Sequence, residues 1–250
     1  MMSSMRPFAL LLTLLATLPI FALSGAARAA ELEPFFATYE AWYGDRHVGE
    51  ASMKLERRET PNWEIELHIR ANRGLIGLAR LNMLQSTVFD VHHDGQFFRP
   101  LTQRTERKAI LFGRNTTGIY DWHTHTAQWS GDVSERRSQP VPLQDGDMSA
   151  LLINLAVIRD VEPGTTLRYR YADNGRAREH EYQVAESPES IQVADIGYSA
   201  LRVSRIEDDD DDEMVVWVAN GVPTPIRILQ RDGDDTIDLR LIEYRGTESP

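Results

Sequence analysis

The sequence predicts a mostly β protein: a curved antiparallel meander forming an open barrel or β-spiral, with one helix packed on its concave face. Three observations carry this. Apolar and polar residues alternate with period two through most of the chain, Asn-Gly and Asp-Gly pairs fall between the alternating runs, and a single segment switches to helical spacing. Period two sends successive side chains to opposite faces, so each run reads as a strand with one apolar and one wet face.

The alternation starts at Ala37 to Tyr43 and Glu50 to Glu56 and is clearest in Trp63-Glu64-Ile65-Glu66-Leu67-His68-Ile69-Arg70. It recurs at Ser86 to Val91, Gly118 to Trp122, Thr166 to Tyr171 and Glu179 to Val184, and again at Ala200 to Ile206, Glu213 to Val218, Ile226 to Leu229 and Thr236 to Tyr244. Roughly a dozen strands result. Tyr43-Gly44-Asp45, His93-Asp94-Gly95, Ser130-Gly131-Asp132, Asp173-Asn174-Gly175, Ala219-Asn220-Gly221 and Arg231-Asp232-Gly233-Asp234 punctuate them. Such pairs are the strongest short-range hairpin signal, and hairpins in series make a meander. A long meander with one apolar face must curl to cover it. From Asp147 the spacing of Met148, Leu151, Leu152, Leu155 and Ile158 is helical, with Asp147 read as the N-cap and Pro163-Gly164 beyond the end. The stripe suits a helix lying on a sheet, either as core or as a plug or lid.

Residues 1–29 read as a signal peptide and residues 30–250 as a single periplasmic β domain. Arg6 precedes an uncharged stretch from Phe8 to Leu23, and Ala27 and Ala29 occupy the minus-three and minus-one positions of an A-x-A cleavage site, so the mature chain starts at Ala30. Pro19 interrupts an apolar segment already short for a membrane span, and no later segment approaches one, so no integral membrane segment is expected after cleavage. The leader carries Arg6 and Arg28 and no acid, so its loss lowers the formal net charge of −11 by two, to −13. Such acidity disfavours nucleic acid as a partner. With no cysteine in the chain, stability in an oxidising compartment rests on the core.

Several residues in order resemble an exported bacterial family designated DUF3108, a domain of unknown function. They are Val48-Gly49-Glu50, read as a turn, Phe98-Arg99-Pro100, Tyr120-Asp121-Trp122, Asp145-Gly146-Asp147-Met148-Ser149 with Leu151 to Ala156, Trp217 followed by Pro223 and Pro225, and Asp232-Gly233. The resemblance spans about Phe36 to Tyr244. It implies a periplasmic curved sheet similar to the open barrels of the LolA and LolB lipoprotein carriers and to β-spiral envelope proteins, and it implies no reaction.

No motif compels chemistry. Glu207 to Glu213 are seven consecutive acids, but a Ca²⁺ loop needs alternating ligands and a glycine for its bend, so the run reads as a solvated hairpin tip. His123 and His125 would share one face of a strand at metal-ligand spacing, yet a third ligand is missing nearby, and no metal or other cofactor is assigned. There is no G-x-S-x-G elbow, and the carboxylates are too evenly scattered to single out a pair, so no catalytic residue is assigned. The run Gly74-Leu75-Ile76-Gly77-Leu78-Ala79 interrupts the strand pattern with apolar residues, which are either covered by the sheet end or form the rim of a hydrophobic mouth. Leu75, Ile76, Leu78, Leu151, Leu152 and Leu155 are therefore the candidate lining of an apolar groove. The expected function is a non-catalytic envelope protein binding a lipid-like or other hydrophobic small molecule. The alternative is a structural module with a filled core and an envelope-protein partner, and a hydrolase of envelope polymers is the third class.

Overall fold

In the computed structural model the described residues are 32–59, 61–71, 82–92, 97–107, 113–193, 195–206 and 212–246. Leu75, Ile76 and Leu78, the leader, the His93-Asp94-Gly95 turn and residues 207–211 of the acidic run lie outside them.

The strands are β1 (Phe35–Tyr43), β2 (Arg46–Arg57), β3 (Trp63–Ala71), β4 (Met83–His92), β5 (Phe97–Arg107), β6 (Arg114–Asp121), β7 (Thr126–Gly131), β8 (Val141–Pro142), β9 (Thr166–Asp173), β10 (Arg176–Val184), β11 (Glu189–Val193), β12 (Ile196–Arg205), β13 (Asp212–Ala219), β14 (Arg227–Asp232) and β15 (Asp235–Gly246), with the helix α1 (Ala150–Asp160) between β8 and β9. They form one antiparallel sheet in the order β8-β7-β6-β5-β4-β3-β2-β1-β15-β14-β13-β12-β10-β9, with β11 added to the start of β12. Apart from the β1–β15 closure and the β10–β12 step, neighbours in the sheet are neighbours in the chain, as serial hairpins require. The sheet curls into a nearly closed barrel whose seam lies between β8 and β9.

The period-two reading holds where it was clearest. Phe35, Ala37, Tyr39 and Ala41 point inward from β1, and Trp63, Ile65, Leu67 and Ile69 from β3. Asn174 and Gly175 both have positive φ, as a tight hairpin turn demands. Four strands escaped the pattern. In β5 the inward set is Phe98, Pro100 and Gln103, because a bulge opposite Val88 and Phe89 shifts the register and gives Pro100 a place in an interior strand. β7 buries only Ala127 and Trp129, and β8 and β11 are short.

The outer face carries its own packing. Trp217 lies opposite Arg227, which lies opposite Arg240, and both guanidiniums bond the buried Asp238 at 2.8–2.9 Å. Arg227 stacks over Trp217 at 4.8 Å and Arg240 over Trp42 at 4.5 Å. This Trp–Arg–Asp–Arg–Trp ladder helps bury β13 on both faces from Val215 to Ala219.

Three expectations need correction. The helix N-cap is Ser149, not Asp147. The Ser149 hydroxyl makes no cap bond but meets Thr87 Oγ1 at 2.8 Å, while Asp147 accepts Gln144 N–H and an Arg170 guanidinium bond ahead of the helix. The helix packs on the concave face, but its burial is wider than the single stripe expected: all of Leu151 to Val157 are buried, Asn154 included. Val48-Gly49-Glu50 is no turn but the interior of β2, where a Cβ on Gly49 would stand 2.0 Å from Arg70 O.

Candidate functional site

Among the described residues a large space lies at the end of the barrel where β1, β5 and β12 begin and β2, β13 and β15 end. This chamber of about 1180 Å³ is open to solvent and mostly apolar in lining, including Phe35, Leu55, Phe98, Leu155, Ile158, Leu201 and Val222. The helix enters it with its last turn. Leu155 lines the chamber; Leu151 and Leu152, at 5% and 0% exposure, lie in the core without reaching it.

Tyr198 and Tyr244 stand at the mouth. A bulge decides Tyr244's direction. Leu241 pairs with Tyr39 but Glu243 with Thr38, so Ile242 is the extra residue and Tyr244 pairs with inward-facing Ala37. Unbroken alternation would have placed Glu243 at the mouth instead. Burial, with Tyr244 nearby, raises the Tyr198 hydroxyl above its usual range, so it is a neutral donor at neutral pH.

Beyond Phe98 and Arg159, which line both spaces, lies a second chamber of about 400 Å³. It is polar, lined by Arg159, Arg168, Arg170, Asp145, Asp160 and Glu179 among others. Arg159 lies 4.7 Å over the Phe98 ring and grips Asp160 with two bonds of 2.6 and 2.8 Å, and Tyr169 donates to the same carboxylate at 3.0 Å. Burial, reinforced by Asp160, lifts the Tyr169 hydroxyl far above its usual range.

The seam beside this chamber is laced by polar contacts. Met148 bridges in parallel to Tyr171, Gln103 donates to Asp173 at 2.8 Å, and the Tyr120 hydroxyl lies 2.7 Å from both Gln103 Oε1 and Ala172 O. Burial raises the Asp173 carboxyl and, with Asp173 and Asp147 adding to it, pushes Tyr120 well up.

Several of the motif residues hold neighbouring elements together, while Phe98 and Asp145 line the chambers. Arg99 pairs bidentately with Asp90, directly across from it, and Trp122 Nε1 donates to Pro100 O at 2.7 Å. Tyr39 donates to Pro225 O at 2.9 Å, and Trp217 Nε1 donates to Glu189. His123 and His125 sit in the turn of residues 122–125, not on a strand face; His125 has φ 52°, and the Asp121 carboxylate, held below its usual range by the backbone of Thr124 first, ties that turn. Among the described residues no group of three His, Asp or Glu side chains is placed to hold a metal.

Of the candidate lining read from the sequence, Leu155 reaches this region; Ile158, read only as part of the helical spacing, and Phe98, Tyr198, Tyr244 and Arg159 were not picked out for it. The helical stripe was the only signal pointing here, since the others are gathered from four separate elements.

A family model described as a protein of unknown function, DUF3108, matches residues 38–240. No curated protein matches. The fold is similar to a crystal structure titled a β-barrel-like protein of domain of unknown function DUF1849 from Brucella abortus, at 11% identity and TM-score 0.54, covering 87% of this chain and 99% of that one. Similarity to the hypothetical lipoprotein YmcC of Escherichia coli is slighter, at 8% identity and TM-score 0.34 over 87% and 90% of the two chains, and bears no argument. Among the described residues no helix is long and apolar enough to cross a membrane.

Proposed function

This chain belongs to the DUF3108 family, and we propose on that footing that it is a non-catalytic, exported envelope protein that holds a hydrophobic, lipid-like ligand in the end chamber. The observation that carries this is the chamber itself: about 1180 Å³ of largely apolar space, against roughly 300–1,000 Å³ for ordinary small-molecule sites. The buried polar side chains described above bond to one another or to the backbone, and none supports a nucleophile beside a base. The ligand is taken at the helix's last turn, not beneath the helix, because the first two turns are buried.

Native mass spectrometry on protein purified from its own periplasm tests the reading, with a co-purifying lipid mass expected. Leu155→Trp, which fills the chamber from the helix, is expected to displace that mass while the fold survives. An empty wild-type protein that also fails to take up an apolar dye would favour the alternative, a structural module with an envelope-protein partner. N-terminal sequencing of the same preparation is expected to begin at Ala30; Met1 recovered from a membrane pellet would overturn the periplasmic assignment.

A further inference from the structure

The β9–β10 hairpin turns at the barrel end opposite the apolar chamber, since β12 begins at the chamber and β10 runs antiparallel to it. There the 3-10 turn Glu135–Arg137 is fixed against the hairpin tip. Arg137 Nη1 donates to Asn174 O at 2.6 Å, and Arg137 O comes so near Gly175 that a Cβ on the glycine would stand 2.0 Å from it. Arg176 follows directly, opposite Asp173, and Arg178 lies on the same face of β10, opposite Tyr171. Arginines distant in the chain are thus set side by side. Desolvation first, then the charges of Arg137, Arg178 and Arg136, lowers the Arg176 guanidinium from its usual range, while Arg107, at the end of β5, and Arg137 both act on the Asp173 carboxylate. Most of this charge is unmet. Arg107, Arg136, Arg176 and Arg178 are exposed, Arg137 is half-buried, and none of the five forms an ion pair among the described residues. Asp173 is one carboxylate against five guanidiniums and already accepts from Gln103. In a chain of formal net charge −11, the fold has gathered a local excess of positive charge.

We propose that this cluster binds a compact phosphate-bearing polyanion, at a second site separate from the hydrophobic chamber. Each phosphate group brings nearly two negative charges and three acceptor oxygens, which the guanidinium fork matches with paired bonds. Compactness follows from the charge of the rest of the molecule. An anionic membrane or polymer would extend past the cluster and meet the repulsion of an acidic protein, whereas a small anion meets the guanidiniums at contact, within a screening length of about 10 Å.

Titration of the full mature protein with sodium tripolyphosphate at neutral pH and low salt tests this, and one saturable equivalent is expected. The Arg136→Gln, Arg176→Gln double variant, which takes one guanidinium from each element, is expected to bind about tenfold more weakly, as two exposed charge contacts warrant. Its denaturation midpoint without ligand is expected to stay or rise, because like charges are being removed. Neutralising two exposed arginines on β2 and β3, Arg46→Gln and Arg70→Gln, is expected to change the affinity by less than about twofold, which separates the site from the effect of net charge. No binding at millimolar tripolyphosphate, or an affinity unchanged in the double variant, overturns the site. A double variant that unfolds more easily than the wild-type protein also overturns it, since the arginines would then be holding the fold. Cosedimentation of the wild-type protein with phosphatidylglycerol vesicles would overturn the compact ligand in favour of a lipid surface. Uptake of an apolar dye by the chamber is expected to be the same in the double variant, so the two sites are judged by separate readouts.

Discussion

Gly118 and Trp129 face each other across β6 and β7, and the indole lies over the glycine so closely that a Cβ there would stand 2.6 Å from Trp129 Nε1. The glycine is thus a seat for the ring. Gly118→Ala is expected to cost about 1–3 kcal/mol in denaturant unfolding through overpacking, and much less in a Trp129→Leu background where the ring is gone. His180 is a second informative residue. Its Nε2 is buried without a partner, its ring packs 4.7 Å from Tyr171, and burial first, then Arg205 and Arg178, lowers its pKa from 6.5 to about 4. The fold therefore holds the neutral imidazole. Below pH 6.5 the unfolded chain takes up a proton that the folded one refuses, so the contribution is complete above 6.5 and is lost as pH falls toward 4. The denaturation midpoint of the wild-type protein should fall between pH 6.5 and about 5, above most carboxylate titration, and that part of the slope should vanish in His180→Phe.

Among the elements, α1 most directly separates packing from binding. Leu152 is fully buried and lies away from the chamber, so Leu152→Ala is expected to destabilise by about 2–5 kcal/mol without changing affinity for an apolar dye at low denaturant. A small stability loss with increased dye uptake would instead identify the helix as a movable lid, since elements that open come from the low-stability end of a structure. The burial of every residue from Leu151 to Val157 is why the first outcome is expected. β5 shows what an element hides: Thr102 to Arg107 offer no apolar period, and the strand is held by hydrogen bonds to β4 and β6 rather than by a greasy face.

At the scale of the whole molecule the seam is crossed by the Met148 backbone, bonded to Arg170 and Ala172, and by side chains. Arg170 and Asp147 join β9 to the segment before the helix, with Asp147 buried and Arg170 partly exposed. Asp147→Ala strips the guanidinium of its carboxylate and Gln144 N–H of its acceptor, and is expected to cost about 2–4 kcal/mol. In hydrogen exchange the loss should fall first on β9, β10 and the Met148 bridge, and leave β1 to β3 protected until global unfolding. Uniform loss of protection would mean that the seam is no weaker than the rest.

The sequence by itself determined the β class, the serial hairpins, most inward-facing sets and the existence of one buried helix. Each of these follows from local period and turn chemistry, as Trp63 to Arg70 and Asn174-Gly175 illustrate. Tertiary structure decided what depends on register and closure. Ile242 carries no mark of a bulge, yet the bulge there sends Tyr244 rather than Glu243 to the mouth. Asp147 had the sequence of a helix cap, but Arg170, distant in the chain, was close enough in the closed barrel to claim its carboxylate. The chamber is gathered from the ends of β1, β2, β5, β12, β13 and β15 and the last turn of α1, so its volume exists only once the sheet has curled, and no pattern within a single strand encodes it.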